Sequence, residues 1–270
     1  MSAEIKTVID TDIAVVGGGP VGVVAALALR DAGFKVLLVE RGLAPPPFDV
    51  SRYDLRVYAI APASARLLEQ LGVWPRIAAT RISPYTRMQV WERAAERGLR
   101  FDAGDSGSGA LGWIVEQGLI LAAAWAQLGA LPCHTGVEAL ALQLPDEDDS
   151  RGRARLRLSD GSELRARLIV AADGADSPLR ERAGIAVTSW RYRQQAIVAQ
   201  VRMSAAQAST AYQRFLPTGP LAFLPQADGR HSIVWSADTA ACTTLMALDD
   251  AAFAAAPACS CPMAASCAPG

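Results

Sequence analysis

The sequence predicts an α/β fold: a Rossmann-like dinucleotide-binding domain, built as a ββα sandwich, joined to a second, antiparallel β-rich domain. Three observations predict it. A buried-strand run, Ala14-Val15-Val16, breaks into Gly17-Gly18-Gly19-Pro20-Val21-Gly22 and then into a helical pattern, which is the G-x-G-x-x-G signature of a strand–turn–helix. An acid, Glu40, closes the following strand pattern. From about Ala196 the helical patterns stop, and strand-like segments alternate with Pro/Gly turns.

Each element follows from local chemistry. Asp12–Val16 reads as a buried parallel strand and Pro20–Asp31 as a helix, with proline at its first turn and Gly33 as the stop. Lys35–Val39 is the next strand. In this unit Gly17 permits the tight turn, Gly19 lets a pyrophosphate approach the backbone, and Gly22 lets helix and sheet pack closely. The helix N-terminus offers free N–H groups to the phosphates, and Glu40 can accept hydrogen bonds from ribose hydroxyls. Pro45-Pro46-Pro47 then enforces a loop. Pro62–Leu71 reads as an amphipathic helix stopped by Gly72, Arg87–Glu92 as a strand, Asp102–Gly109 as a loop and Glu116–Leu128 as a helix. Val137–Leu144 is a strand, and Ser159-Asp160-Gly161-Ser162 sits between two alternating segments as a hairpin turn. Leu168–Ala172 is a buried strand running into Asp173-Gly174. Ala196–Val201, Ala211–Leu216, Leu221–Leu224 and Ser232–Trp235 are the strands of the second domain. The expected division is 1–80 with 105–188 for the first domain and 81–104 with 189–250 for the second. Residues 251–270 carry no charge and little bulk, so they are expected to be disordered or poorly packed.

Composition excludes other classes. A net charge of −1 gives no electrostatic footprint for nucleic acid. No apolar run reaches the length of a membrane span, and the N-terminus lacks an apolar signal core, so a cytoplasmic protein is expected. Five cysteines, three of them Cys259, Cys261 and Cys267, form neither a disulfide framework nor a four-ligand zinc pattern, and no metal is expected. His134 and His231 lack an acid–base context and read as surface or hairpin residues.

Two later blocks narrow the reading. With the glycine turn and Glu40, the strand ending in Ala172-Asp173-Gly174-Ala175-Asp176-Ser177 with Arg180 resembles the flavoprotein aromatic hydroxylases of the para-hydroxybenzoate hydroxylase type. Trp190–Ala199, Tyr212–Pro225 and Asp228–Ser236 are similar to the ubiquinone-biosynthesis branch of that family, and the resemblance covers roughly residues 8–250. It implies FAD as cofactor, NAD(P)H as transient reductant, O2, and a polyprenylated phenol as the substrate to be hydroxylated. A greasy substrate in turn implies work at the inner-membrane surface and association with other ubiquinone-forming enzymes.

Carried over by position, Gly17, Gly19 and Gly22 face the pyrophosphate, Glu40 the adenosine ribose, and Arg41 lies beside the adenosine. Arg56 contacts the flavin side, Gln117 the cofactor chain, and Asp173 with Gly174 form a second fingerprint shared with the nicotinamide nucleotide. The cofactor carries the redox chemistry, and no catalytic side chain is assigned. The chain also departs from the family. Gln207 stands where a histidine is usual. The family's third motif, a Gly-Asp followed by a Pro/Gly/Asn-rich turn that walls the flavin ring, has no match, so the chain reads as C-terminally truncated with an impaired flavin pocket. The alternatives are another FAD oxidoreductase, separated by the Tyr212–Pro225 block, and a non-catalytic remnant or scaffold, favoured by the missing motif.

Overall fold

A computed structural model describes residues 6–92, 98–107, 109–145, 152–203, 209–258 and 267–269 of the 270-residue chain. In chain order the elements are β1 (Thr7–Val16), α1 (Pro20–Asp31), β2 (Val36–Glu40), β3 (Val57–Ile60), α2 (Pro62–Gln70), α3 (Trp74–Thr80), β4 (Ser83–Tyr85), β5 (Arg87–Trp91), β6 (Leu99–Asp102), β7 (Gly112–Glu116) and α4 (Gln117–Leu128). There follow β8 (Cys133–Thr135), β9 (Ala139–Gln143), β10 (Ala154–Leu158), β11 (Ser162–Ala171), α5 (Pro178–Arg182), β12 (Gln194–Met203), β13 (Thr210–Leu216), β14 (Gly219–Pro225), β15 (Arg230–Asp238), α6 (Thr239–Met246), α7 (Asp250–Ala258) and β16 (Cys267–Pro269). They form two compact units: Met1–Phe48 with Leu68–Trp74 and Ile120–Ser189, and Asp49–Leu67 with Pro75–Leu119 and Trp190–Gly270.

The first unit holds a six-stranded sheet in the order β8-β2-β1-β11-β10-β9. The runs Ile13–Val16 and Val36–Val39 are buried throughout, which is why they read as unbroken apolar stretches rather than alternations. α1 ends as expected: Gly33 takes φ +88° and the Phe34 N–H reaches back to the Leu29 carbonyl at 3.2 Å. The hairpin at Asp160-Gly161 forms, but its second arm and the strand expected at Leu168–Ala172 are one ten-residue strand, β11, whose second half is not buried as expected: Leu168 is 51% exposed and Ile169 and Val170 are half-buried. With no glycine or proline to break it, β11 pairs parallel with β1 along its length and antiparallel with β10 over Glu163–Ala166. Ala14, Val16, Leu37, Val39, Leu156 and Leu164 close the core here.

The second unit holds a seven-stranded sheet, β16-β12-β15-β14-β13-β5-β6, antiparallel except for the parallel β5–β13 pair, and a small sheet β3-β7-β4. Pairing of β3 and β4 with β7 gathers 49–67 and 75–119 into this unit. The sequence-based division placed 49–67, 75–80 and 105–119 in the first domain; short strands paired over long separations leave little local signal. Trp91, Tyr212, Phe223, Ile233 and Trp235 form the core, with Trp91 and Tyr212 packed edge to face at 6.4 Å. Of the stretch expected to be disordered, residues 251–258 lie in α7 and Cys267–Pro269 in β16, while 259–266 lie outside the described residues. Asp249 caps α7 through the Ala252 N–H at 2.8 Å, Phe253 packs on Trp235, and Cys267–Pro269 pairs with β12. Gln207, Cys259 and Cys261 lie outside the described residues.

His231 is not a surface residue. It is 3% exposed on β15, and neither ring nitrogen finds a partner among the described residues. Burial pushes its imidazole down to about 4 from the ordinary 6.5. Between those values the unfolded chain binds a proton that the native state refuses, so stability present above pH 6.5 is lost as pH falls toward 4. The full shift amounts to about 3 kcal/mol. Urea unfolding at pH 7 and pH 4.5 checks this. His231→Leu should flatten the acid loss, and an unchanged pH slope in that variant would refute the assignment.

Candidate functional site

The glycine turn is fixed by the sheet beneath it. The Gly17 N–H donates to the Val39 carbonyl at 2.8 Å, and the Ala172 N–H donates to Val16 at 2.8 Å, so the ends of β1, β2 and β11 are tied at one level. Gly17 takes φ +113°, and a Cβ there would stand 2.1 Å from the Ala172 carbonyl oxygen. Around Gly19 a Cβ would meet nothing within 4 Å. Thus one glycine answers to the fold and the other faces open space. Gly19 precedes α1, whose N-terminus has no side-chain cap, proline at its first position and no acid in its first turn. Its unpaired N–H groups and positive dipole end suit an anion.

A cavity of about 250 Å³ opens over this turn. Gly17, Gly19, Glu40, Arg41, Asp173, Gly174 and Arg182 are among the residues that line it. Gly22 lies beneath the turn, its missing Cβ replaced by the Gly17 carbonyl. Glu40 is already held in place: one carboxylate oxygen accepts the Gly18 N–H, the other the Gly42 N–H at 2.6 Å. Asp173 is occupied too. Its oxygens accept the Ser177 hydroxyl at 2.5 Å and the Leu179 N–H at 3.1 Å, and the Ser177 hydroxyl in turn accepts the Arg180 N–H at 3.0 Å. Asp173 therefore builds the turn into α5, and Gly174, at φ +105° with no neighbour near its Cβ position, is the open element of that fingerprint. Arg180 closes the same turn on the Ala175 carbonyl at 2.7 Å.

Arg56 and Gln117 come together in the second unit. The Gln117 N–H donates to the Arg56 carbonyl at 3.0 Å, and the Gln117 amide oxygen accepts from Arg56 Nη1 and from the Tyr58 hydroxyl, each at 3.2 Å. The sequence reading missed the support for this pair. Glu116, 4% exposed, receives Arg81 through two nitrogens at 2.7 and 3.0 Å and the Asp54 N–H at 2.7 Å. It also missed Trp125 and Arg182. A lone tryptophan in the Leu/Ala-rich α4 was the available signal for Trp125; Arg182 carried none.

The residues of the first unit fit a dinucleotide: a cradle open only where glycine stands, an uncapped helix end and an oriented acid. Comparison with known proteins agrees. Residues 10–249 match the family described as FAD binding domain. The chain is 38% identical over 226 residues to the 3-demethoxyubiquinol 3-hydroxylase of Escherichia coli, covering 83% of this chain and 57% of that protein. It is 36% identical over 255 residues to the mitochondrial ubiquinone biosynthesis monooxygenase COQ6 of Homo sapiens, covering 90% and 54%. It thus spans about half the length of these curated relatives. Among solved structures, PqsL of P. aeruginosa superposes with a TM-score of 0.72 at 21% identity, covering 88% of this chain and 64% of that one. The p-nitrophenol 4-monooxygenase PnpA of Pseudomonas putida gives 0.66 at 20%, covering 91% and 60%. These likenesses carry the fold, a mixed α/β architecture shared with flavin monooxygenases. With the family match spanning most of its length, the chain belongs to the FAD binding domain family.

Proposed function

We propose that this chain is the FAD-binding portion of a monooxygenase that hydroxylates a polyprenylated phenol in ubiquinone biosynthesis with NAD(P)H and O2. The observation that carries the proposal is the cavity over Gly17–Gly19, flanked by Glu40, Arg41 and Gly174, in a chain 38% identical to a demethoxyubiquinol hydroxylase. FAD, when bound, supplies the electron transfer from NAD(P)H and the activation of O2. The chain's own residues bind and orient. The N-terminus of α1 and the Gly19 backbone take the pyrophosphate. Glu40, fixed by the Gly18 and Gly42 amides, receives the ribose hydroxyls, and Arg41 borders the adenosine. Arg56 is assigned to the flavin side and Gln117, hydrogen-bonded to it, to the cofactor chain. Among the described residues no helix is long and apolar enough to cross a membrane.

Titration of FAD and of ADP into the 270-residue chain tests this. Both are expected to bind, with ADP displacing FAD, because Gly17, Gly19, Glu40 and Arg41 serve the ADP half. No match to the family's ring-walling motif occurs in residues 1–270. The chain alone is therefore expected to hold flavin weakly and to divert reducing equivalents to H2O2. Binding of neither ADP nor FAD would sink the reading. A stoichiometric yellow protein with tightly coupled NAD(P)H use would sink the expected impairment.

A further inference from the structure

We propose that Trp125, on α4, is a positioning residue for the nucleotide cradle, acting through the Gly18 peptide; the proposal rests on the dinucleotide reading of the glycine turn. Three observations converge on Gly18, the middle glycine that the G-x-G-x-x-G pattern leaves free. The Trp125 indole Nε1 donates to the Gly18 carbonyl at 2.9 Å. The Gly18 N–H donates to Glu40. A Cβ on Gly18 would stand 2.6 Å from Trp125 Cζ2 and 2.9 Å from Glu40 Cγ. The residue is therefore held at both ends and wedged between an aromatic ring and the proposed ribose acid.

Peptide geometry carries the consequence. The Gly18 carbonyl and the Gly19 N–H belong to one planar trans unit, so they point in opposite directions. Anchoring the carbonyl on Trp125 aims the Gly19 N–H away from the indole, and Gly19 lines the cavity. Trp125 thus sets the direction of a backbone donor offered to an anion without touching the anion itself. The Gly18 N–H, in the preceding peptide plane, holds Glu40, so the donor aimed at the pyrophosphate and the tie to the ribose acid meet at one residue on which the indole packs. Glycine at position 18 and tryptophan at position 125 specify each other, since any larger residue at 18 expels the indole.

The experiment pairs nucleotide titration with hydrogen exchange. Trp125→Phe keeps an aromatic filler and removes the N–H donor and the ring carbon facing Gly18. Affinity for ADP is expected to fall about 5- to 10-fold, the scale of one net hydrogen bond. Amide exchange across residues 16–22 should quicken, while exchange in β10 and β11 stays as in the wild type. Gly18→Ala should weaken ADP binding strongly in the wild-type background and less so beside Trp125→Phe, where the clash with Cζ2 is gone. Unchanged ADP affinity and unchanged exchange at 16–22 in Trp125→Phe would overturn the proposal. Should that variant not fold, Gly18→Ala alone decides, and wild-type ADP affinity in it is the overturning result. If the wild-type chain binds neither ADP nor FAD, the functional reading fails, and the exchange measurement still decides the role of Trp125.

Discussion

Gly22→Ala is expected to abolish measurable ADP binding and to cost about 3 kcal/mol of stability, at the upper end of what overpacking inflicts. The direction runs against helix propensity. Inside a helix, glycine to alanine ordinarily stabilises by roughly 0.5–1 kcal/mol. Here the added Cβ would lie 1.9 Å from the Gly17 carbonyl oxygen, 3.0 Å from its carbon and 3.2 Å from the Ala172 Cβ. The first two are backbone atoms, so no rotamer change relieves the contact. Gly17 cannot retreat either, because its own Cβ position is filled by the Ala172 carbonyl. The strain must open the junction of α1 with β1 and β11, and that junction is the floor of the cavity. Gly19→Ala is the control, since its Cβ meets nothing within 4 Å. It should leave the urea midpoint in place and weaken ADP binding by crowding the approach. Wild-type ADP affinity in Gly22→Ala would show that the close helix approach is dispensable.

These two variants also show what the sequence made legible. Gly17, Gly19, Gly22 and Glu40 are constrained by neighbours within one β–α–β unit, so their spacing states their geometry. Pro20 at the start of α1 and Gly33 after its end behave the same way. Pairings between distant segments were not legible. β3, β4 and β7 are three to five residues each, and their sheet joins Val57–Ile60 to Gly112–Glu116. That pairing moves Arg56 and Gln117 out of the unit that holds the glycine turn. Asp173 shows a different limit. Its motif named it as a cofactor residue and it lines the cavity, and its oxygens also accept the Ser177 hydroxyl and the Leu179 N–H, a part in the turn that the motif does not record. Trp125 and His231 were misread or missed because burial and partner choice depend on elements far along the chain.

Glu116→Leu is expected to cost about 3–5 kcal/mol, the range for stripping one partner from a buried ion pair. Glu116 and Arg81 are 5% and 14% exposed in their side chains. The pair is bidentate, and the same guanidinium donates to the Val50 carbonyl at 2.9 Å and the Arg52 carbonyl at 2.6 Å while stacking over Tyr53 at 3.8 Å. Removing Glu116 takes the bidentate carboxylate from Arg81 and the acceptor from the Asp54 N–H. Desolvation then dominates, because the lost attraction is no longer there to offset it. Arg81→Met/Glu116→Leu should cost less than Glu116→Leu alone, since no guanidinium has then lost its bidentate carboxylate, although the ties to Val50 and Arg52 go with it. The two single variants and the double, unfolded in urea, form a cycle that isolates the coupling. The effect should reach Arg56. Asp54 is anchored by Glu116 at its N–H and accepts the Gly118 N–H at 2.9 Å, so the segment 54–56 is aligned with the start of α4 where Gln117 stands. Loosening that alignment should lower FAD affinity more than ADP affinity, because Arg56 is assigned to the flavin side and Gln117 to the cofactor chain. Equal losses for the two ligands would instead mark the ion pair as a support for the fold alone.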